Sequence, residues 1–200
     1  MLNPMLVAGR SDSMAKAWGN SRTYKFIHLP IQSGSQKILD SMLRDHTLED
    51  FWEVVETFRK YYPEMMIITD IITGFPGETD DDHQQTIDLL NRLLPDLVNL
   101  TRFSPRRGTP AAGYKKVNSN TIKSRSRELT ELRKKLGAKS FKRFVGRKTS
   151  VLTVENRKKG STLCRDDNYR PIIVKKELPL GQSYDVEIVD SDYAFLTAIL

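Results

Sequence analysis

The chain has 200 residues, 38% of them hydrophobic, and its one cysteine is Cys164. A single thiol excludes an internal disulfide framework and any zinc or iron–sulfur site built from several cysteines of this chain. The sequence has no apolar run of about 18 residues, and residues 1–10 lack the apolar block of a signal peptide. These features favour a soluble protein of the cytoplasm with no membrane partner.

The net charge of +7 conceals two halves of opposite sign. Residues 1–100 carry 9 Lys and Arg against 15 Asp and Glu, which gives −6, and residues 101–200 carry 23 against 10, which gives +13. A strongly basic half indicates a polyanionic partner. The alternative is a lysine-rich helix face that is merely solvated.

Residues 1–116 are expected to alternate between strands and helices. Thr47 with Asp50, and Thr79 with Asp82, have the spacing of capping boxes that begin helices. The middle one of the strand-like segments is apolar on both faces, which is typical of a central strand in a parallel sheet. The strand-like segments are 24–30, 65–73 and 97–103. Strands that alternate with helices at this spacing predict βα units and therefore an α/β fold.

From residue 117 the sequence becomes basic. An apolar stripe marks one face of a helix predicted at 117–140, and the basic residues of this helix are expected on its solvent side. The stripe consists of Ile122, Leu129, Leu132 and Leu136. The residues expected in solvent are Lys123, Arg125, Arg127, Arg133, Lys134 and Lys135.

Residues 141–200 contain short β-type segments separated by turns. Tyr184, Val186 and Ile188 alternate with acidic residues, which is the pattern of a half-buried strand. The segments are 150–154, 161–164, 171–174, 184–189 and 194–200. Short strands at this density predict a small, closed all-β barrel of the oligonucleotide-binding (OB) type.

Polar and glycine-rich segments follow the first two predicted strands, at the edge of the sheet where α/β proteins bind ligands. In the first, Gly34 is interpreted as a place where a ligand approaches the backbone, and Ser35 as a helix N-cap. A capped turn without a ligand is the alternative. The second segment, 73–79, offers two glycines and the positive end of the following helix. His28, in the first strand, is expected to be packed or hydrogen-bonded.

Three segments together, 26–35, 69–79 and 103–111, closely resemble the methylthiotransferases of the radical S-adenosylmethionine superfamily. The predicted barrel resembles the TRAM domain of those enzymes. The resemblance extends from about Leu2 to Leu200. Segment 102–106 and the basic helix are most similar to the archaeal and eukaryotic branch, which acts on tRNA carrying threonylcarbamoyladenosine beside the anticodon.

The resemblance implies the carboxyl-terminal half of a radical-SAM partial (β/α) barrel over 1–116, a basic linking helix, and a TRAM barrel over 141–200. It places S-adenosylmethionine near Gln32, Ser33, Gly34, Ser35, Ile72 and Gly74. The residues expected on the substrate side, where guanidinium groups meet phosphate, are Arg106, Arg107 and Thr109. In the barrel, RNA is expected to contact Arg147, Lys148, Arg157, Lys158, Lys159 and Arg170, with Tyr169 as a stacking ring.

The chain departs from the family pattern at the iron–sulfur clusters. The family holds one [4Fe-4S] cluster with three cysteines in a loop after the first barrel strand, and a second cluster in an amino-terminal domain. Cys164 lies in the predicted barrel, and one thiol cannot replace three. We therefore expect a carboxyl-terminal portion of such an enzyme that binds no metal and is inactive alone.

The expected partner of the chain is tRNA, and a companion chain could supply the amino-terminal half. One alternative is a non-catalytic RNA-binding protein that uses only the basic helix and the barrel. Another is a methylthiotransferase that acts on a ribosomal protein, because a sister branch shares the same glycine motifs. The charge of the second half favours nucleic acid.

Overall fold

A computed structural model describes residues 1–157 and 160–200. The amino-terminal part contains, in chain order, α1 (Pro4–Val7), α2 (Ser11–Ala17), β1 (Phe26–His28), α3 (Gln36–Ser41), α4 (Leu48–Tyr61), β2 (Met66–Thr73), α5 (Asp80–Leu93) and β3 (Leu97–Arg102). A 3-10 helix (Pro110–Gly113) and the long helix α6 (Ser119–Lys142) follow. The remainder contains β4 (Lys148–Arg157), β5 (Ser161–Arg165), β6 (Pro171–Val174), β7 (Ser183–Ser191) and β8 (Leu196–Ile199).

The first three strands form a parallel sheet in the order β1–β2–β3, so the predicted central position of β2 is confirmed. Successive side chains of β2 point to opposite faces of the sheet. Ile67 and Ile71 are buried in a core with the helices of the amino-terminal part. Met66 and Ile68 lie on the other face and pack against the carboxyl-terminal barrel. The central strand is therefore apolar on both faces because both faces are covered.

Both predicted capping boxes are present. Thr47 accepts a hydrogen bond from the backbone N–H of Asp50, and the Asp50 carboxylate accepts one from the N–H of Thr47, at 3.1 and 2.8 Å. Thr79 and Asp82 make the same reciprocal pair at the start of α5, at 3.2 and 2.8 Å. Each box satisfies N–H groups that the first helical turn leaves without partners.

Helix α6 begins at Ser119, after an Asn118 cap, and ends at Lys142, slightly later than the predicted span at both ends. Leu129 and Leu136 of the predicted apolar stripe are buried. The expectation that Arg125 lies in solvent is wrong, since this residue is only 6% exposed. It follows the stripe residue Ile122 at helical spacing, and a carboxylate on the facing turn pairs with it, which a helical-wheel pattern cannot anticipate.

The carboxyl-terminal strands close into a barrel in the order β4–β5–β6–β8–β7, which confirms the predicted barrel arrangement. Neighbouring strands are antiparallel except for β6 and β8. The interior side chains include Val151, Cys164, Ile172, Val186 and Ile188.

The barrel and the sheet share one core. Met66 of β2 is fully buried among barrel side chains, together with Phe141 and Phe144 from the end of α6 and the segment after it. Phe26 of β1 stacks on Tyr169 of the barrel with ring centroids 4.5 Å apart. The divisions at 116 and 140 stay a prediction, because the packing is continuous across them.

Within the part of the chain that the structure describes, no helix combines the length and the apolar character needed to cross a membrane.

Candidate functional site

A cavity of ≈ 430 Å³ opens at the carboxyl ends of β2 and β3. Ile72 forms part of its wall, with Phe75 and Phe103, whose rings meet edge to face at a centroid distance of 4.9 Å. Arg106 and Thr109 also line the cavity. One residue predicted on the cofactor side and two predicted on the substrate side therefore share a cavity, whereas Gln32, Ser33, Gly34, Ser35, Gly74 and Arg107 do not line it.

The cavity is basic. Arg44 from the loop after α3, Arg102 from the end of β3, and Arg106 all line it, and no Asp or Glu is among the described residues of its wall. Arg102 donates a hydrogen bond through Nε to Ser126 on α6 at 3.0 Å. The segment that carries Arg106 is held by Thr109, which donates hydrogen bonds through its N–H and hydroxyl to the Arg106 carbonyl, at 3.2 and 2.8 Å.

Gln32 lies beside the end of β2. Its N–H donates to the Asp70 carbonyl and its carbonyl accepts from the Ile72 N–H, both at 2.9 Å, so the pairing of the sheet continues past β1. Its φ of 76° lies in the left-handed region, which costs free energy for a residue with a Cβ. The hydrogen bonds to β2 hold that conformation and place the backbone of Gln32 beside that of Ile72. The assignment of both residues to one cofactor stays a prediction.

The turn after β2 is fixed by α6. Gly74 has a φ of +79°, and its N–H donates to Glu78 Oε2 at 2.9 Å. A Cβ at Gly74 would lie 2.7 Å from the Ile122 side chain. Arg125 donates to Glu78 Oε2 and to Asp80 Oδ1, each at 2.7 Å, and lowers the pKa of Asp80. The turn is therefore set by packing and ionic contacts from the basic helix.

The segment from Ser33 to Ser35 packs against α5. Gly34 donates its N–H to the Thr86 hydroxyl at 3.0 Å, and a Cβ at Gly34 would lie 2.4 Å from the Gln85 carbonyl oxygen. The interpretation of Gly34 as an opening for a ligand is wrong, because the side that a Cβ would fill is occupied by α5. Both serines are 1% exposed, so the segment attaches the sheet edge to α5.

Ser35 stands at the N-cap of α3, as predicted, but its side chain does not cap that helix. Its hydroxyl donates instead to Asp82 Oδ1 at 2.7 Å. Burial alone would raise the pKa of Asp82, but hydrogen bonds from Lys37, Thr79 and Ser35 outweigh it and hold that pKa well below its usual range. The carboxylate of Asp82, in the first turn of α5, thus joins the start of α3 to the start of α5.

A polar group lies on the same face of the sheet as Ile72, one pleat before it. His28 Nε2 is 2.7 Å from Asp70 Oδ1, and Asn99 donates to the same oxygen at 2.8 Å. The expected hydrogen bonding of His28 is confirmed. Asp70 and Asn99 were not singled out in the sequence. For Asp70 a signal was present, because its two-residue spacing from Ile72 places the two side chains on the same face of β2.

The basic residues predicted in the barrel differ in availability. Arg147 is paired with Glu64 at 2.8 Å, between the barrel and the segment after α4. Lys148 and Arg157 are exposed, and Arg157 lies 4.0 Å from Glu155. Lys158 and Lys159 lie outside the described residues. The expectation that Arg170 contacts RNA is wrong, because Arg170 is 2% exposed and its guanidinium pairs with Asp166 at 2.8 Å.

The expectation that Tyr169 offers a stacking ring to RNA is wrong. Its ring is stacked on Phe26, lies 5.0 Å from Tyr24 between centroids, and carries the Arg165 guanidinium 4.1 Å from its centre. A Tyr in a basic segment resembles a nucleic-acid contact, but the long-range pairing with β1 cannot be read from the sequence.

The described residues do not fit an iron–sulfur cluster. Cys164 is fully buried in the barrel core, and burial raises the pKa of its thiol, whereas cluster iron is bound by several cysteine thiolates. Over residues 1–157 and 160–200, no group of three or more His, Cys, Asp and Glu side chains has a metal-binding arrangement.

The comparisons with known proteins agree with this architecture. Residues 2–90 match the model of the Radical SAM superfamily. Coproporphyrinogen III oxidase (HemN) from Escherichia coli, a radical SAM enzyme, has a similar fold, with a TM-score of 0.55, 15% identity, and coverage of 68% of this chain and 31% of that one. Residues 2–90 are therefore similar in sequence to the radical SAM superfamily.

Within it, the chain is similar to threonylcarbamoyladenosine tRNA methylthiotransferases, which confirms the family predicted from its motifs. A probable enzyme of that name from Archaeoglobus fulgidus is 41% identical over 196 residues, covering 98% of this chain and 46% of the relative. The Pyrococcus abyssi relative is 39% identical, with 100% and 46% coverage, and the human protein is 32% identical, with 98% and 34%. The chain thus spans less than half the length of these relatives.

Proposed function

We propose that the chain is the carboxyl-terminal part of a cytoplasmic tRNA methylthiotransferase that modifies C2 of threonylcarbamoyladenosine beside the anticodon. The cavity at the ends of β2 and β3 carries this proposal, because apolar side chains such as Ile72 and guanidinium groups such as Arg106 line the same cavity. Apolar walls with a few placed polar groups are typical of ligand sites. The names of the relatives favour tRNA over a ribosomal protein as substrate.

The cofactor side of this site is assigned to Gln32, Ile72 and Gly74. Ile72 offers an apolar contact for an adenine ring, and Gln32 and Gly74 flank it at the ends of β1 and β2. Ser33, Gly34 and Ser35 act behind this surface, since their hydrogen bonds run to one another and to α5. S-adenosylmethionine, when bound, would supply the radical precursor and the methyl group.

The second part of the proposal concerns RNA. The barrel resembles a TRAM domain, and the exposed Lys148 and Arg157 are available to phosphates. Lys158 and Lys159, which follow Arg157 in the sequence, are proposed to join them. Arg107 and the exposed basic residues of α6 are proposed as further phosphate contacts. Arg147 contributes less, because its guanidinium already pairs with Glu64.

The fragment is proposed to bind tRNA without catalysing the reaction. The burial of Cys164 supports this, since the chain's one thiol cannot reach a cluster. A companion chain with the family's cysteine loop would complete the enzyme. The same observation favours a second candidate, an RNA-binding protein without catalysis. Activity that appears on adding an amino-terminal half from a relative would exclude that candidate, and its absence with a folded mixture would support it.

Filter binding of unfractionated tRNA across a salt series tests the RNA proposal. Affinity is expected to fall with salt with a slope of about −0.7 per phosphate contact on single strands. Arg157→Ala, Lys158→Ala and Lys159→Ala combined should reduce that slope by about 2. A matched control with the same charge change is Arg10→Ala, Lys16→Ala and Arg92→Ala, all exposed in the amino-terminal part. No binding by the parent chain at low salt would overturn the proposal.

A further inference from the structure

We infer that the cavity beside Ile72 is a carboxylate-reading nucleoside site, in which Arg44 and Arg106 bind the carboxylate of the threonylcarbamoyl group. This inference rests on the proposed function, because it takes the substrate from the relatives. Arg44 was not singled out in the sequence, and nothing in the family resemblance assigned it a role.

Arg44 and Arg106 come from different segments and meet one cavity. Arg44 follows α3 and is anchored by its backbone N–H, which donates to the Leu39 carbonyl at 3.0 Å. Arg106 is anchored through the hydrogen bonds from Thr109 to its carbonyl. Within the described part of the chain neither guanidinium has an ion-pair or hydrogen-bond partner, so both are free to bind an anion.

The positive charge of the cavity stands out from the net charge of the surrounding sequence. The amino-terminal hundred residues have an excess of acidic side chains, yet the cavity wall contains three arginines and no described carboxylate. Uncompensated guanidinium groups in a concave site raise the local concentration of anions. Arginine also matches a carboxylate in a bidentate geometry that a lysine cannot reproduce.

The apolar part of the cavity indicates what carries the anion. Phe75 is 4% exposed, Phe103 packs against it, and Tyr114 stands at the rim. Aromatic walls accept a purine ring by stacking, which an exposed arginine cluster for backbone phosphate would not need. An adenine with a carboxylate at the end of its N6 substituent satisfies both the ring-binding wall and the cationic rim. Threonylcarbamoyladenosine has this chemistry.

The site would also explain selection among tRNAs. Phosphate contacts position RNA without reading sequence, so the barrel and α6 cannot distinguish one anticodon loop from another. Unmodified adenosine has no carboxylate, so the arginines of the pocket would lose a charged hydrogen bond when it binds. The pocket therefore discriminates against unmodified adenosine. Modification of the adenosine would therefore be the feature that commits a bound tRNA to reaction.

Titration of the ¹⁵N-labelled chain with nucleosides tests this. N6-threonylcarbamoyladenosine is expected to shift resonances of the cavity residues and to bind about tenfold to one-hundredfold more tightly than adenosine or N6-hexyladenosine. Arg44→Gln should remove that margin and leave the affinity for adenosine unchanged, with Arg44→Lys restoring part of it. Arg10→Gln is the matched control, because Arg10 is an exposed arginine between α1 and α2 that does not line the cavity.

Several outcomes would overturn the inference. These are equal affinity for threonylcarbamoyladenosine and adenosine, no shift of cavity resonances at millimolar nucleoside, or the same loss in the Arg10 and Arg44 variants. Adenosine monophosphate or S-adenosylmethionine binding as tightly would assign the arginines to phosphate or to the cofactor instead. If tRNA still binds in the filter assay, the proposed function survives such a result. If tRNA does not bind either, the proposed function fails as well.

Discussion

Arg125 of α6 and Glu78 of the turn after β2 form a buried ion pair, with Nη1 2.7 Å from Oε2 and side chains 7% and 3% exposed. The same guanidinium donates to the Glu78 carbonyl and to Asp80. Glu78 in turn accepts from the Gly74 N–H. A helix whose outer face is basic thus reaches, through one residue, the backbone of the turn assigned to the cofactor.

Arg125→Met should destabilise the chain by about 3–5 kcal/mol, because it leaves the Glu78 carboxylate buried without a partner. Arg125→Lys should cost less, since an ammonium can satisfy one carboxylate. The free energy of unfolding from urea titration measures both. Arg127→Met, two residues along on the exposed face, is the control. An equal effect of the Arg125 and Arg127 variants would contradict the importance of this ion pair.

Gly34→Ala is expected to destabilise the chain by about 1–3 kcal/mol, because its Cβ would lie 2.4 Å from the backbone oxygen of Gln85. The oxygen belongs to α5 and cannot move away without shifting the helix. Gly113→Ala is the matched control, since nothing lies within 4 Å of its Cβ position and its φ is not positive. Thermal unfolding of both variants compares them, and a neutral Gly34→Ala would contradict the contact.

Asp82 should contribute to acid stability. Its folded pKa is lowered, so its stabilising effect is complete above the unfolded pKa of about 3.9 and is lost as pH falls through the folded pKa. Asp82→Asn should therefore lower the stability at neutral pH and flatten its decline below about pH 4. Unfolding curves between neutral and acid pH measure this. Asp81→Asn, exposed in the same turn, should leave the parent profile unchanged.

The shared core predicts that barrel and sheet unfold together. Phe144→Ala removes a 5%-exposed ring from the barrel core and should cost about 3–5 kcal/mol. Trp18 and Trp52 lie in the amino-terminal part, so tryptophan fluorescence reports on the sheet while the substitution lies beyond α6. The fluorescence midpoint should fall together with the circular dichroism signal. Two transitions, with the fluorescence midpoint unchanged, would show that the parts unfold independently.

The elements that the sequence predicted well are those specified by nearby residues. Thr47 and Thr79 begin helices through bonds to residues three positions later, and β2 is central because its own residues are apolar on both faces. Ile72 and Arg106 were assigned to the cofactor and substrate sides through the resemblance of their segments to the family, and both line one cavity.

The features that sequence reasoning missed depend on residues far along the chain. Arg125 and Tyr169 are residue types that are common on nucleic-acid-binding surfaces. In the structure, however, Arg125 pairs with Glu78 and Tyr169 stacks on Phe26, and each partner is more than forty positions away in the chain. Gly34 was correctly singled out and wrongly explained, since its neighbour is a helix backbone rather than a ligand. No motif in the sequence marks Arg44 as a site residue. Its position in the same cavity as Arg106 follows only from the folded chain.

The core that the sheet and the barrel share around Met66 limits how the barrel can be exchanged between proteins. A barrel exchanged with that of another enzyme at the end of α6 would lose Phe141 from its own interior and leave Met66 and Phe26 facing an unmatched surface. A chimera that keeps its fold must therefore carry the end of α6 and the paired faces of β1 and β2 with the barrel. The unit that can be exchanged is therefore set by this contact surface, and it consists of segments that are separated in the sequence.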